Sequence, residues 1–94
     1  MTTKLDFNKV EALRKHMLLS VRGMAQILRT SRQNYYNWKS ARSYPTPNAE
    51  AALKSRIKKM LTVVNEHSWP TADIIMATHS QRVKKLLALL ETDS

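Results

Sequence analysis

Apolar residues recur along this chain at intervals of three and four positions, which is the spacing of an amphipathic α-helix and not the alternation of a β-strand. The clearest example lies in residues 49–66, where one helical face would carry Ala49, Leu53, Ile57, Met60, Leu61 and Val64. The chain has one Gly among its 94 residues, whereas an all-β fold needs many tight turns that usually contain Gly. The pattern therefore predicts an all-α fold.

Residues that commonly cap helices divide this pattern into five or six segments. Two residue pairs have the spacing of a capping box, namely Asn8 with Glu11 and Thr78 with Gln81. We expect helices at 8–18 after the first box, at 21–28 after Ser20, from Ser31 to about 42, at 49–66 after Asn48, at 72–77, and from Thr78 onward.

The expected architecture is a three-helix N-terminal module followed by a long helix and a C-terminal helical pair. Pro45 and Pro47 restrict the residues before them to extended conformations, so we expect a linker at 44–48 between modules at 1–43 and 49–94. The last helix has an apolar stripe that either completes the core or forms the seam of a dimer, and it consists of Val83, Leu86, Leu87 and Leu90.

Basic residues are unevenly distributed along the chain. There are 16 Lys and Arg against 7 Asp and Glu, a formal net charge of +9. No acidic residue lies between Glu11 and Glu50, a stretch that contains Arg14, Lys15, Arg22, Arg29, Arg32, Lys39 and Arg42. Further basic groups lie at 54–59 and 82–85. Because a solvated helical surface usually mixes both signs, this distribution predicts a polyanionic partner. A basic surface that only confers solubility is the alternative.

Residues 21–38 have the pattern of a helix-turn-helix. Ala25 is small where the two helices would cross, and Tyr35 and Trp38 are three positions apart, so both would face the core. Outward side chains of the second helix suit base edges in the major groove, and the predicted base-reading residues are Ser31, Arg32, Gln33, Tyr36 and Asn37. Flanking side chains suit phosphate contacts, and these are Arg22, Lys39, Ser40 and Arg42. The module at 1–43 is therefore a predicted DNA-binding module. The alternative to a DNA-binding module is an ordinary helical hairpin. For Tyr36, the alternative to base reading is packing in the core.

Two positions depart from the usual pattern of this motif. The turn usually carries Gly, with positive φ, where Arg29 stands. Arg29 therefore either adopts a strained backbone or the turn has another shape. Gly23 instead lies inside the second helix, where a close approach by the first helix or by a DNA backbone would explain it, as would chance.

The stretch from Met24 to Trp38, with Ser31-Arg32 followed by Tyr35-Tyr36-Asn37-Trp38, resembles the N-terminal DNA-binding region of the second-frame subunit of two-frame insertion-sequence transposases. In that family a Ser-Arg-x-x-Tyr-Tyr-x-Trp motif ends a helix-turn-helix, and a proline-containing linker and a long helix follow. A looser similarity connects the chain with phage repressor and activator helix-turn-helix proteins. Because the transposases continue into a large catalytic domain with three metal-binding carboxylates, the resemblance implies DNA binding here without strand transfer.

Other chemistry is not indicated by the sequence. The three His residues are widely spaced, Cys is absent, no pair of acids converges, and no Gly-rich loop could hold a phosphate. We therefore expect no enzyme activity, no metal, no cofactor and no small-molecule substrate. The absence of Cys and of any apolar run of about 20 residues favours a cytoplasmic protein without membrane contact. We expect core positions for the apolar residues Met17, Met24, Met60, Met76 and, as a plug between the last helices, Trp69.

Together these features predict a sequence-specific, double-stranded-DNA-binding protein. We expect a small transcription regulator of a phage or mobile element that acts as a homodimer. Two alternatives remain open, namely a truncated transposase-type protein that binds element ends, and a basic protein-interaction module that binds an acidic partner.

Overall fold

The computed structural model describes residues 5–92, apart from the side chain of residue 92, and within that range it has six α-helices and no strand. In chain order the helices are α1 (Phe7–His16), α2 (Val21–Ile27), α3 (Arg32–Lys39), α4 (Pro47–His67), α5 (Ala72–Met76) and α6 (His79–Thr92). The predicted all-α class is confirmed. The six predicted segments are all present, with shifted ends.

Helices α2, α3 and α6 begin at the predicted caps. The Oγ atoms of Ser20 and Ser31 each accept a first-turn backbone N–H at 3.0 Å. Thr78 and Gln81 form the predicted capping box, because the backbone N–H of Thr78 donates to Gln81 Oε1 at 2.9 Å and that of Gln81 donates to Thr78 Oγ1 at 3.2 Å. Each such cap typically contributes about 1 kcal/mol to helix stability. The starts of these three helices are therefore determined by residues within one helical turn.

The predicted caps of α1 and α4 are wrong, because another capping residue lies two positions earlier in each case. The N-cap of α1 is Asp6, whose Oδ1 accepts the N–H of Asn8 at 2.9 Å. The N-cap of α4 is Thr46, whose Oγ1 accepts a first-turn N–H at 3.2 Å. Pro47 follows it and suits the first helical position, since its φ is already helical and its missing N–H would have no intrahelical acceptor. Asn48 therefore lies inside the helix.

Helices α1, α2 and α3 end in the same way, without glycine. The residue after each C-cap has a left-handed backbone, with φ of 61° at Leu18, 60° at Arg29 and 61° at Ala41. Its N–H and the following N–H donate back into the last helical turn, which is a Schellman motif. A side chain in this conformation costs about 1–2 kcal/mol. The strained alternative for Arg29 is therefore the one observed, and α3 ends at Lys39, before the predicted end near 42.

A single hydrophobic cluster takes residues from all six helices, on both sides of 44–48. Helix α6 packs against α2 and α4. Its apolar stripe faces this core, because Val83, Leu86 and Leu90 are buried and Leu87 is partly buried. Of the two roles predicted for the stripe, core completion is the one observed. The module boundaries at 44–48 remain a prediction.

Gly23 is buried where α2 meets α6. A Cβ atom at this position would lie 2.9 Å from Val83 Cγ2 and 3.2 Å from Ser20 Oγ. Real side-chain contacts are rarely so short in close-packed interiors. The close approach at Gly23 is therefore made by α6, and not by the first helix.

The predicted core residues are buried or partly buried with two exceptions, Met76 and, on the apolar stripe predicted for 49–66, Leu61, which is 47% exposed. Met17, Met24 and Met60 are fully buried, and Trp69 is 3% exposed. The indole Nε1–H of Trp69 donates to the backbone oxygen of Met17 at 2.9 Å. This hydrogen bond holds the segment 68–71, between α4 and α5, against the end of α1. Met76 is 86% exposed, contrary to expectation, because the five-residue helix α5 buries Ile74 alone.

Candidate nucleic-acid interface

Helix α3 is held against the body of the protein by its aromatic side. Tyr35 is completely buried, and its ring meets that of Phe7 edge-on, with centroids 6.0 Å apart and planes at 77°. Trp38 is partly buried and lies 5.9 Å from the same Phe7 ring. Edge-to-face aromatic pairs are directional as well as hydrophobic, so α1 fixes the rotation of α3 about its axis.

A buried carboxylate strengthens this contact between α1 and α3. The Tyr35 hydroxyl donates to Glu11 Oε1 at 2.6 Å. The Arg14 guanidinium donates to both Glu11 oxygens, from Nε at 2.8 Å and from Nη2 at 3.0 Å. Its third nitrogen, Nη1, donates to the backbone oxygen of Leu19 at 2.9 Å. Lys39 Nζ approaches Glu11 Oε2 to 3.6 Å. We call these four side chains, Glu11, Arg14, Tyr35 and Lys39, the Glu11 network.

The Glu11 network fixes the protonation of its members. The hydrogen bond from Arg14 outweighs burial and lowers the pKa of Glu11 to about 2. Burial, together with the carboxylate, raises the pKa of Tyr35 above its usual range. Glu11 is therefore ionised and Tyr35 neutral at any physiological pH. The sequence-based assignment of Glu11 to a capping box is wrong, although the spacing of Glu11 and Arg14, three positions apart on a helix, is a signal for an ion pair.

The predicted base-reading residues lie together on α3 and its N-cap. Ser31, Arg32, Gln33 and Tyr36 are exposed, and Asn37 is partly exposed. Tyr36 is 48% exposed, so its side chain does not pack in the core, which was the alternative for this residue. Lys39 Nζ lies 5.9 Å from the centroid of its ring.

Two of these side chains also bond to each other. Gln33 Nε2 donates to Asn37 Oδ1 at 3.2 Å. An amide side chain has further donor and acceptor positions beyond one such bond. The pair is therefore mutually oriented and still able to bind other groups. The face that these residues form, Ser31, Arg32, Gln33, Tyr36 and Asn37, is called the outer face of α3 below.

The predicted phosphate-contacting residues fall into two places. Lys39, Ser40 and Arg42 lie together at the C-terminal end of α3, and all three are exposed. The Ser40 hydroxyl donates to the backbone oxygen of Tyr36 at 2.7 Å. Arg22 is exposed at the start of α2, where it borders a shallow cleft that α6 also lines.

The charge distribution differs from the sequence-based expectation. Arg14 and Lys39 belong to the stretch without acidic residues, but both face Glu11, which lies just before that stretch. Two further arginines bind backbone carbonyls at helix ends. Arg56 Nε donates to Ile27 O at 3.2 Å, and Arg82 donates to the oxygens of Ile74, Ile75 and Leu18 at 2.8–3.0 Å. Cations favour such C-terminal positions. The exposed cations of residues 14–42 are Lys15, Arg22, Arg29, Arg32, Lys39 and Arg42.

Sites of other kinds are not found among the described residues. No three or more His, Asp or Glu side chains in that part of the chain come together as a metal site would require. No helix within 5–92 combines the length and the apolar character of a membrane span. Comparison of the chain with protein-family models, with curated proteins and with solved structures found no match.

Proposed function

We propose that this chain is a sequence-specific, double-stranded-DNA-binding protein in which α2 and α3 act as a helix-turn-helix. The proposal depends on one observation: α3 is packed against the body of the protein on one side and exposes polar side chains on the other. Its inner side is held by buried Tyr35 and Glu11, while its outer face exposes Arg32 and Gln33 to solvent. The major groove admits an α-helix, and its N-terminal residues then contact base edges.

The outer face of α3 offers the groups that distinguish base pairs. The Arg32 guanidinium matches the two acceptors of guanine, and the amides of Gln33 and Asn37 match the donor and acceptor of adenine. The bond between these two amides holds them in a defined orientation before DNA arrives, so less side-chain entropy is lost on binding.

The exposed cations around this face support binding to the DNA backbone. Arg42 and Lys39 at the end of α3, and Arg22 at the start of α2, are the candidates for phosphate contacts. Neutralised phosphates release condensed counterions. With about six phosphates contacted, log affinity falls against log salt with a slope near −5.

We further propose that the protein regulates transcription in the cytoplasm, for a phage or a mobile element. A recognition helix of eight residues contacts few base pairs, and dimers on inverted repeats are the common remedy. We therefore propose a homodimer. Because the apolar stripe of α6 is buried within the chain, the dimer interface belongs to another surface.

Selection of bound sites from random duplex DNA is the test of this function. We expect a short enriched site, an inverted repeat if the protein binds as a dimer, and the steep salt dependence given above. An enriched site that matches the terminal repeats of a mobile element would identify a transposase-type protein instead. The absence of an enriched site, together with a stable complex with an acidic protein, would contradict DNA recognition and favour an interaction module.

A further inference from the structure

A cleft lies between the α2–α3 turn and α4. Its walls are formed by residues 28–30 of the turn, by the segment 43–46, by part of α4, and by Asn34 and Trp38 of α3. It has a volume of about 780 Å³, and none of the residues on the outer face of α3 lines it. The cleft is therefore a second surface, next to the one proposed to contact bases.

Three cationic side chains line this cleft, and none of its lining residues carries a carboxylate. The cations are Arg29 from the turn and Arg56 and Lys59 from α4. Hydroxyl and amide side chains, among them Thr30 and Asn34, complete the lining. Such a combination offers charge and several neutral donors, which suits an anion with many acceptor oxygens.

Arg56 has a donor that the fold does not use. Its Nε–H donates to Ile27 O, whereas its Nη2 is buried and meets no hydrogen-bond acceptor among the described residues. Buried donors are almost always paired in folded proteins. Burial and the nearby charge of Arg29 lower the pKa of Arg56, while the more weakly acting charge of Glu91 raises it. The two guanidinium groups of the cleft therefore repel each other, and an anion bound between them would reduce that repulsion.

Arg29 stands where the backbone favours glycine. Its φ is 60°, in the region that glycine adopts without strain. The side chain is exposed and its conformation is costly, so the backbone gives no reason for an arginine here. A ligand in the adjacent cleft does give one.

We propose that this cleft binds a phosphate group, supplied by the backbone of the same duplex whose bases the outer face of α3 contacts. The inference rests on the proposed function, because that function supplies the duplex. Guanidinium groups bind phosphate oxygens in pairs, and Lys59 adds a point charge. Phosphates bound beside the recognition helix fix its register without reading sequence.

The test compares Arg29→Gly combined with Lys59→Gln against the wild-type chain, with Lys58→Gln as the matched control. Lys58 is the neighbour of Lys59 on α4 and does not line the cleft. Glycine suits the backbone at position 29, so the variant is expected to fold, and its thermal unfolding checks this. Binding to the selected duplex and to a random duplex is measured over a range of salt concentrations.

We expect the cleft variant to weaken both duplexes by the same factor and to reduce the salt slope by about one. Lys58→Gln should leave that slope unchanged. A folded variant with the wild-type slope would overturn the cleft proposal while leaving the proposed function intact. A variant that loses discrimination between the duplexes would overturn it as well, because a phosphate contact carries no sequence information.

A second arm separates the cleft from the function on which it rests. If the wild-type chain binds no duplex, the proposed function fails, and pyrophosphate is then titrated while amide NMR shifts are followed. Shifts at the cleft residues that the double variant abolishes would establish a phosphate site but overturn DNA as the source. No shifts in the wild-type chain would overturn the site altogether.

Discussion

Two arginines of this small protein have opposite surroundings. Arg14, between α1 and α3, uses all three guanidinium nitrogens, two on Glu11 and one on a backbone oxygen. Arg56, in the cleft beside α4, makes one such bond through Nε and buries Nη2 without a partner among the described residues. The first arginine completes an internal network, whereas the second keeps one guanidinium nitrogen unpaired among the described residues. A count of positive charges treats the two as equal, although they differ in what they can bind.

The two arginines also belong to regions with different roles. One region supports α3 from inside the protein, and the other is proposed to contact a ligand. The Glu11 network holds the inner side of α3 and leaves its outer face to solvent. The cleft with Arg29 and Arg56 lies next to that face and is open. We therefore expect substitutions in the network to change stability first, and substitutions in the cleft to change binding first.

The largest expected effect follows from removing the charge of Glu11. Glu11→Gln leaves Arg14 without its carboxylate in a mostly buried position, and breaking a buried pair from one side costs about 3 kcal/mol. The free energy of unfolding in urea measures this loss. Glu50→Gln is the matched control, since its pair with Lys54 at 3.2 Å is partly exposed and should contribute at most about 1 kcal/mol. Equal effects of the two substitutions would show that the Glu11 network contributes no more to stability than an exposed ion pair.

The same network predicts a loss of stability in acid. The pKa of Glu11 is about 2 in the folded chain, against about 4.3 for a Glu side chain in an unfolded peptide. A lowered carboxyl pKa stabilises the fold above the unfolded value and ceases to do so as pH falls through the folded value. Between pH 5 and pH 2 this group should therefore remove about 2–3 kcal/mol of stability. Urea unfolding over that range should show a smaller decline for Glu11→Gln than for the wild-type chain, and parallel declines would contradict the assignment.

A smaller effect concerns the left-handed helix ends. Ala41→Gly and Arg29→Gly both relieve a positive φ, so each should raise the free energy of unfolding by about 1 kcal/mol. Ala51→Gly, at an exposed position inside α4, should lower it by a similar amount. If Arg29→Gly were destabilising while Ala41→Gly was stabilising, the Arg29 side chain would belong to the supporting structure and not to a binding cleft.

The smallest expected effect is that of Arg56→Met. The substitution removes one bond to Ile27 O but also removes the buried unpaired donor, so stability should change by less than about 1 kcal/mol. Arg14→Met, which leaves Glu11 without its main partner, should instead cost several times as much. Chemical denaturation of the two variants compares them directly, and a loss at Arg56 as large as that at Arg14 would contradict the comparison.

The features predicted correctly from the sequence are mostly local ones. The caps at Ser20 and Ser31 and the Thr78–Gln81 box depend on neighbours within one helical turn, and all are observed. The caps at Asn8 and Asn48 fail where another capping residue precedes them by two positions. Both residues of each pair have side chains that can cap a helix, so residue type and spacing do not choose between them.

The features missed by the sequence analysis depend on residues far apart in the chain. Tyr35 binds Glu11 across 24 positions, and Arg82 binds Leu18 O across 64. Gly23 is required because α6 returns against α2. None of these contacts leaves a periodic signal. The exposed and buried sides of α3 were predictable because they follow from helical periodicity alone.

The central claim is that the outer face of α3 reads base edges, and the most direct measurement is the ratio of dissociation constants for the selected duplex and a random duplex. Arg32→Ala should reduce this discrimination by about 5- to 150-fold, since one bidentate pair with a base contributes about 1–3 kcal/mol. Arg42→Ala should weaken both duplexes alike and leave the ratio unchanged. If Arg32→Ala also weakened both duplexes by one common factor, α3 would not be a recognition helix.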